Sequence, residues 1–278
     1  MTKPQELLDY TALELNDLII KKSLSAVEVI KALESHIAAT EPLVKAFAYR
    51  NMAKAKKTAQ SLDKLIKEER GLSVISGVPF ALKANMATTH EPTDACSEVL
   101  KGFNPEYNAV VAAQLFKAGA ICLGKTNMDA LAMGSSTATS CYGPSFNPWG
   151  ENLCPGGSSG GAAAAVAAKE AWFALGSDTG GSVRQPAAFC GLVGMKPTWG
   201  LVSAFGVVPL APDLDQVGPI TRNVKDCAAV MSVISRKELH FLEQINTPLN
   251  GLKIAVAHEY MELANPQIAD SVWLALKV

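Results

Sequence analysis

Two short segments place serine among glycines in a way that suits acyl transfer. The first is Pro155-Gly156-Gly157-Ser158-Ser159-Gly160-Gly161, the second Gly176-Ser177-Asp178-Thr179-Gly180-Gly181-Ser182-Val183-Arg184. Glycine lets the backbone turn sharply beside a helix start, so that neighbouring N–H groups converge on an anion. In acyl transfer that anion is the oxygen of the tetrahedral intermediate, and donors already aimed at it supply much of the rate. Three other readings compete for the first segment. A flexible Gly/Ser linker has the same composition, but an Ala-rich stretch and an apolar run follow it at once. A phosphate-binding loop needs G-x-x-x-x-G-K-[ST], and no lysine follows these glycines. Gly156-Gly157-Ser158-Ser159-Gly160 fits the G-x-S-x-G elbow, yet Trp149-Gly150-Glu151-Asn152 stands just before this segment, where that elbow needs a buried strand.

A serine nucleophile needs a base. The four histidines are His36, His90, His240 and His258. His36 falls in a predicted helix, His90 in a polar loop and His240 in a linker-like stretch. Only His258, just after a predicted strand, is well placed, and each reads better as a surface or packing residue. Lysine serves as a base when neutral, which near pH 7 needs its pKa lowered by roughly three units, about 4–5 kcal/mol. Burial or a neighbouring cation supplies such a shift. Lys83 is the candidate because it closes the apolar run Gly77-Val78-Pro79-Phe80-Ala81-Leu82. The residues alone leave it either that base or an ordinary lysine at a strand end.

The elements that must position these groups follow from periodicity. Apolar spacing over 11–40 predicts two helices, the second capped by Ser25 with Glu28 three residues on. Residues 51–69 are Ala- and Lys-rich and predict an exposed helix. From about residue 74, short apolar runs alternate with helical stretches. Strands are predicted over 74–83, 120–124, 171–176 and 252–257, and helices over 108–118, 162–169 and 224–235. Such alternation predicts an α/β fold, a mixed sheet covered by helices. An amphipathic helix over 267–278 ends the chain, and an apolar helix in that place is expected to be covered by further chain. One domain over 1–278 is expected, with helices over 1–72, then a catalytic α/β core over 73–278 that is incomplete at its C-terminal end.

Composition narrows the partners. Of 278 residues, 49% are apolar, enough for a sizeable core, and 25 basic against 26 acidic residues leave a formal net charge of −1. That balance gives the chain no electrostatic means of gripping nucleic acid by itself. The six cysteines include no C-x-x-C pair, so no zinc or thioredoxin-type motif is expected, and no metal. No run reaches the roughly 18 apolar residues of a membrane span, and the first ten residues lack a signal-peptide core. A cytoplasmic protein with reduced thiols is expected.

Together the two serine segments, continuing through Gln185-Pro186-Ala187-Ala188-Phe189-Cys190-Gly191 and Gly194-Met195-Lys196-Pro197-Thr198, resemble the amidase signature family. The resemblance runs from about Gly77 to Ile234. It implies a Ser–cis-Ser–Lys triad with Ser182 as nucleophile, Ser158 as the bridging serine on a cis peptide and Lys83 as base. It further implies an oxyanion hole from the backbone of Thr179, Gly180 and Gly181, with Asp178 and Arg184 buttressing that loop.

Within the family, Asn127-Met128-Asp129, Gly134-Ser135-Ser136 and Leu214-Asp215-Gln216-Val217-Gly218-Pro219 are similar to the ammonia-producing subunits of tRNA-dependent amidotransferases. Such a subunit hydrolyses glutamine and passes ammonia to a B subunit, in complex with a C subunit. With ATP and magnesium, the B subunit then amidates Glu-tRNA(Gln) or Asp-tRNA(Asn). On that resemblance the chain itself holds no cofactor, takes glutamine or another small amide, and meets tRNA only indirectly. The alternatives are a stand-alone amidase and a truncated remnant with a binding role. The chain departs from the family at Lys83-Ala84-Asn85, where Lys-Asp-Asn is usual, in the loop 87–98, and in length, since members are nearly twice as long.

Overall fold

The computed structural model describes residues 4–68, 71–89, 91–237, 239–248 and 250–277; His90 and the end of the predicted 51–69 helix lie outside them. After a short helix α1 (Pro4–Leu7), the two predicted N-terminal helices are α2 (Ala12–Ile20) and α3 (Ala26–Val44). Each starts at a capping box, Thr11 with Glu14 and Ser25 with Glu28, which satisfies N–H groups that a first turn leaves without partners. Strand β1 (Phe47–Arg50) follows α3, and α4 (Met52–Lys67) fills the predicted Ala/Lys-rich stretch.

Together with β1, the elements that follow build a six-stranded mixed sheet. They are β2 (Pro79–Lys83), α5 (Val110–Lys117), β3 (Ile121–Thr126), α6 (Gly160–Ala167), β4 (Phe173–Asp178), α7 (Arg184–Phe189), β5 (Val193–Gly194), β6 (Gln216–Thr221), α8 (Val224–Ile234) and α9 (Phe241–Gln244). The strand order is β1-β3-β2-β4-β6-β5. The three central strands β3, β2 and β4 run parallel, and β1 and β6 join antiparallel. Every residue of β2, β3 and β4 is buried, as helices on both faces require. Phe80 on β2 stacks on its register partner Phe173 on β4, with ring centroids 5.2 Å apart. Helix α6 is buried from Gly160 through Val166. A side chain at Gly161 would meet Ala46 O at 2.4 Å and Asn127 O at 2.5 Å, so glycine is what lets this helix start against the loop after β3.

Lys83 closes β2 and Asp178 closes β4. Parallel neighbours end at the same edge, so these two residues share the carboxyl edge of the sheet, where open α/β sheets bind ligands.

One buried acid stands apart from that edge. Glu170 is fully buried, and its Oε1 accepts from Thr40 Oγ1 at 2.5 Å. Burial, seconded by the neighbouring Glu41, pushes its carboxyl above the ordinary range. A raised carboxyl keeps its proton in the folded chain and releases it on unfolding, so stability falls as pH rises through the window between the two values. Glu170→Gln is therefore expected to raise the melting temperature at pH 8 but to change it little near pH 4, which paired thermal melts will show.

The chain divides into two compact units, Met1–Ile245 and Asn246–Val278, with the division inside the linker-like stretch 236–250. The second unit contains α10 (His258–Leu263) and α11 (Pro266–Ala275), the latter covering the predicted C-terminal helix. The strand expected over 252–257 does not form: these residues pair with no strand, and Leu252 and Ile254 are exposed. A strand without a partner leaves its backbone groups to water and has no ladder to hold it. His258 consequently does not follow a strand; it begins α10, with its ring 5.4 Å from that of Trp273. The six cysteines are free, four of them buried. Among the described residues no helix is long and apolar enough to cross a membrane.

Candidate active site

Lys83 is wholly buried at the end of β2. Its Nζ donates to Ser158 Oγ at 2.7 Å, to Ser177 Oγ at 3.0 Å and to Ser177 O at 3.2 Å. Burial, which penalises the ammonium, pushes its pKa down to about 7, against the opposing pull of Asp129, Asp178 and Asp215. Ser177 is held in turn by Asn85, whose Nδ2 donates to Ser177 Oγ at 3.0 Å and to Val208 O at 3.2 Å. Neighbouring Ala84 packs among Ala95, Cys96, Met128 and Ala132, so the position that departs from the family pattern faces a small apolar cluster.

Ser158 lies just before α6, and the Gly157–Ser158 peptide bond is cis. Ser182 is half-buried at the far end of the second glycine loop. Its carbonyl accepts from Ser159 N at 3.1 Å, which ties the two serine segments together through the backbone. The structure thus joins Lys83 directly to Ser158 and brings the Ser182 segment alongside; among the described residues the Ser182 hydroxyl itself makes no hydrogen bond.

Asp178 organises the second loop. Its Oδ1 accepts from Gly181 N at 2.8 Å and Arg184 Nη2 at 3.0 Å; its Oδ2 accepts from Val183 N at 3.0 Å, Arg184 Nε at 3.1 Å and Arg184 N at 3.2 Å. Burial pushes this carboxyl up, but the Arg184 side chain and the two Oδ2-bound N–H groups of Val183 and Arg184 outweigh it and hold the group below the usual range. The Gly181 N–H thus points at Asp178, whereas the N–H groups of Gly180 and Ser182 donate to no described residue. Thr179 uses its hydroxyl on Asp215.

Asp129, Gln185, Ser177 and Asn85 are parts of this site to which sequence patterns assign no role. Asp129 is buried, accepts from Ser136 N at 3.1 Å, Thr137 N at 2.9 Å and Thr139 Oγ1 at 3.0 Å, and donates its own N–H to Ser158 O at 3.2 Å. Gln185 Oε1 accepts from Gly157 N at 2.9 Å. The signal that was present is glycine. A side chain at Gly157 would lie 2.1 Å from Asp129 Oδ2 and 2.5 Å from Ser136 N. Gly157→Ala is therefore expected to cost about 1–3 kcal/mol, read by urea denaturation, with Ser158 displaced from Lys83. Among the described residues no group of three or more His, Cys, Asp or Glu is arranged to hold a metal ion.

This geometry can be set beside known proteins. A sequence-family profile described as Amidase matches residues 28–276. The A subunit of glutamyl-tRNA(Gln) amidotransferase from Heliobacterium modesticaldum is 42% identical over 96% of this chain. The chain spans 57% of that relative's length. The crystal structure of the corresponding A subunit of glutamyl-tRNA(Gln) amidotransferase from Thermotoga maritima superposes with a TM-score of 0.68 at 38% identity, covering 86% of this chain and 47% of that one. Native peptide amidase from Stenotrophomonas maltophilia superposes with a TM-score of 0.77 at 32% identity, covering 88% of this chain and 52% of that one. The profile extends across the α/β core and both serine segments, and its match takes in all the groups that meet around Lys83, so the chain belongs to the amidase family.

Proposed function

We propose that this chain hydrolyses a carboxamide through Ser182, Ser158 and Lys83. Neutral Lys83 takes the Ser158 proton while Ser158 takes that of Ser182, and Ser182 Oγ bonds to the amide carbon. The oxyanion that forms is met by backbone N–H groups of loop 179–182. Collapse breaks the C–N bond as the proton returns through Ser158 to the leaving nitrogen, ammonia departs, and water then hydrolyses the acyl-serine. The observation that carries this reading is the buried 2.7 Å contact of Lys83 with Ser158, supported by a lysine pKa that burial pushes down to about 7.

The substrate best supported is glutamine, with ammonia passed to a tRNA-amidating B subunit in complex with a C subunit. Support comes from the similarity to the A subunit of glutamyl-tRNA(Gln) amidotransferase. ATP and magnesium belong to the partner's step, and the near-neutral charge of the chain agrees with tRNA being held elsewhere. The role is a cytoplasmic one, in a single catalytic domain. A second reading, a stand-alone amidase, draws on the similarity to peptide amidase. Ammonia release from glutamine, compared with release from peptide and simple carboxamides, separates the two. Ser182→Ala and fluorophosphonate labelling of Ser182 test the shared chemistry. If the chain neither takes the label at Ser182 nor releases ammonia from any amide, the hydrolytic reading is lost and a binding role replaces it.

A further inference from the structure

We propose that Asp215 is a positioning residue that fixes loop 179–182 through the Thr179 hydroxyl. The inference rests on Ser182 being the nucleophile.

Asp215 is 5% exposed and immediately precedes β6. Its Oδ1 accepts from Thr179 Oγ1, and its Oδ2 accepts from Leu210 N at 2.8 Å and Ala211 N at 3.1 Å. With four lone-pair sites and three donors, this carboxylate is well satisfied and has one preferred orientation. The sheet register explains how it reaches Thr179. Asp178 pairs with Gln216 across the antiparallel β4–β6 ladder, so the residue after Asp178 comes opposite the residue before Gln216.

The loop is consequently anchored on two sides. Asp178 grips it from within through the N–H groups of Gly181, Val183 and Arg184. Asp215 grips its beginning from the neighbouring strand end. Between these anchors Gly180 stands free, with nothing within 4 Å of where a Cβ would lie. A peptide group without side-chain packing takes its direction from whatever holds its neighbours. The direction of the Gly180 N–H, which donates to no described residue, is thus set by Asp178 and Asp215 together, and donors of this kind matter to within a fraction of an ångström.

Asp215 has a second, separable effect. The groups that act on Lys83 are Asp129 from the loop after β3, Asp178 from the end of β4, Asp215 before β6 and the Cys96 thiol. The three carboxylates favour the ammonium, so removing the charge of Asp215 moves the Lys83 titration to lower pH. Removing the Thr179 hydroxyl does not.

The test compares the wild-type chain with Thr179→Val, Thr179→Ser and Asp215→Asn, using the inactivation rate constant of a fluorophosphonate at Ser182 as a function of pH. Losing a hydrogen bond to a charged group corresponds to roughly 10–100-fold. Thr179→Val is expected to lower the maximal inactivation rate by about that factor with little change in reagent affinity, and Thr179→Ser is expected to restore it. Asp215→Asn is expected to combine the loss with an acid limb displaced to lower pH, whereas Thr179→Val leaves that limb in place. Wild-type rates in Thr179→Val overturn the inference while leaving Ser182 as nucleophile. Absence of label at Ser182 in the wild-type chain removes the nucleophile, and the inference with it. Should Asp215→Asn fail to fold, the Val and Ser variants of Thr179 still decide the matter.

Discussion

Lys83→Met is expected to slow acylation of Ser182 by about 10²–10⁴-fold, the range associated with loss of a positioned base. Methionine matches the length of the buried stem and presents no proton acceptor of useful strength, so Ser158 keeps its place but loses its partner. The wild-type rate is expected to rise with pH through about 7, as the Lys83 ammonium gives up its proton, and to level off above. The residual rate of Lys83→Met should lack that limb. Lys83→Arg should be equally slow at every pH, because a guanidinium stays charged. Stability should move the other way. A buried lysine whose folded pKa lies below its unfolded value destabilises the chain below about pH 7, and that penalty fades as pH rises toward 10.5. Lys83→Met removes it, so the variant should melt higher than wild type at pH 6, with a difference of about a few kcal/mol. A variant that lost activity by misfolding would melt lower instead, and the two measurements together separate the cases.

Local chemistry explains which parts of this fold were legible in the chain. Helices α2, α3 and α4 carry their start signals within three or four residues, and Ser25 with Glu28 marks the beginning of α3 to the residue. Strands β2, β3 and β4 are apolar throughout because both faces are covered, and they stand out as short runs. Strand β6 was hidden because Gly218 and Pro219 break its pattern. They are tolerated where Met195 O would lie 1.8 Å from a Gly218 side chain and where Pro219 O still accepts from Met195 N. Residues 252–257 show the converse, an apolar alternation that finds no partner strand.

The candidate site divides along the same line. Ser158 and Ser182 were marked by glycines required for local turns, and Lys83 by the apolar run that buries it. Asp129, Ser177 and Asp215 owe their roles to contacts across long stretches of chain, such as the bond from Lys83 to Ser177 and that from Thr179 to Asp215. No spacing rule reports such contacts. The Gly181 N–H is a local exception: the family resemblance assigns it to the oxyanion, and the structure aims it at Asp178, three residues before it.

Asp178→Asn, almost isosteric, should be among the most damaging single changes to the loop. The aspartate presents two oxygens to five N–H donors: Gly181 N and Arg184 Nη2 on one, and Val183 N, Arg184 N and Arg184 Nε on the other. An asparagine has one oxygen and one NH2 group. Whichever way the amide is turned, its NH2 meets N–H groups and leaves at least two of them without an acceptor. Breaking a buried ion pair costs about 3–5 kcal/mol. Here Asp178 is fully buried while Arg184 is half exposed, and water screens part of the loss, so about 2–3 kcal/mol is the better expectation. For a chain of this size that is a melting temperature lower by roughly 5–10 °C. The folded carboxyl lies below its ordinary value, so the wild type holds this advantage at neutral pH and loses it as pH falls through the folded pKa. The gap between wild type and variant should therefore close in acid. Activity should suffer beyond stability, because Gly181 and Val183 bracket Ser182. Measured well below the melting point, acylation is expected to fall by about 10²-fold, as when an oxyanion donor is misplaced. Arg184→Met keeps the three backbone bonds to Asp178 and removes only the half-exposed guanidinium, so its losses in both measurements should be clearly smaller. Equal losses in the two variants would mean that the ion pair, and not the carboxylate's hold on the backbone, shapes the loop.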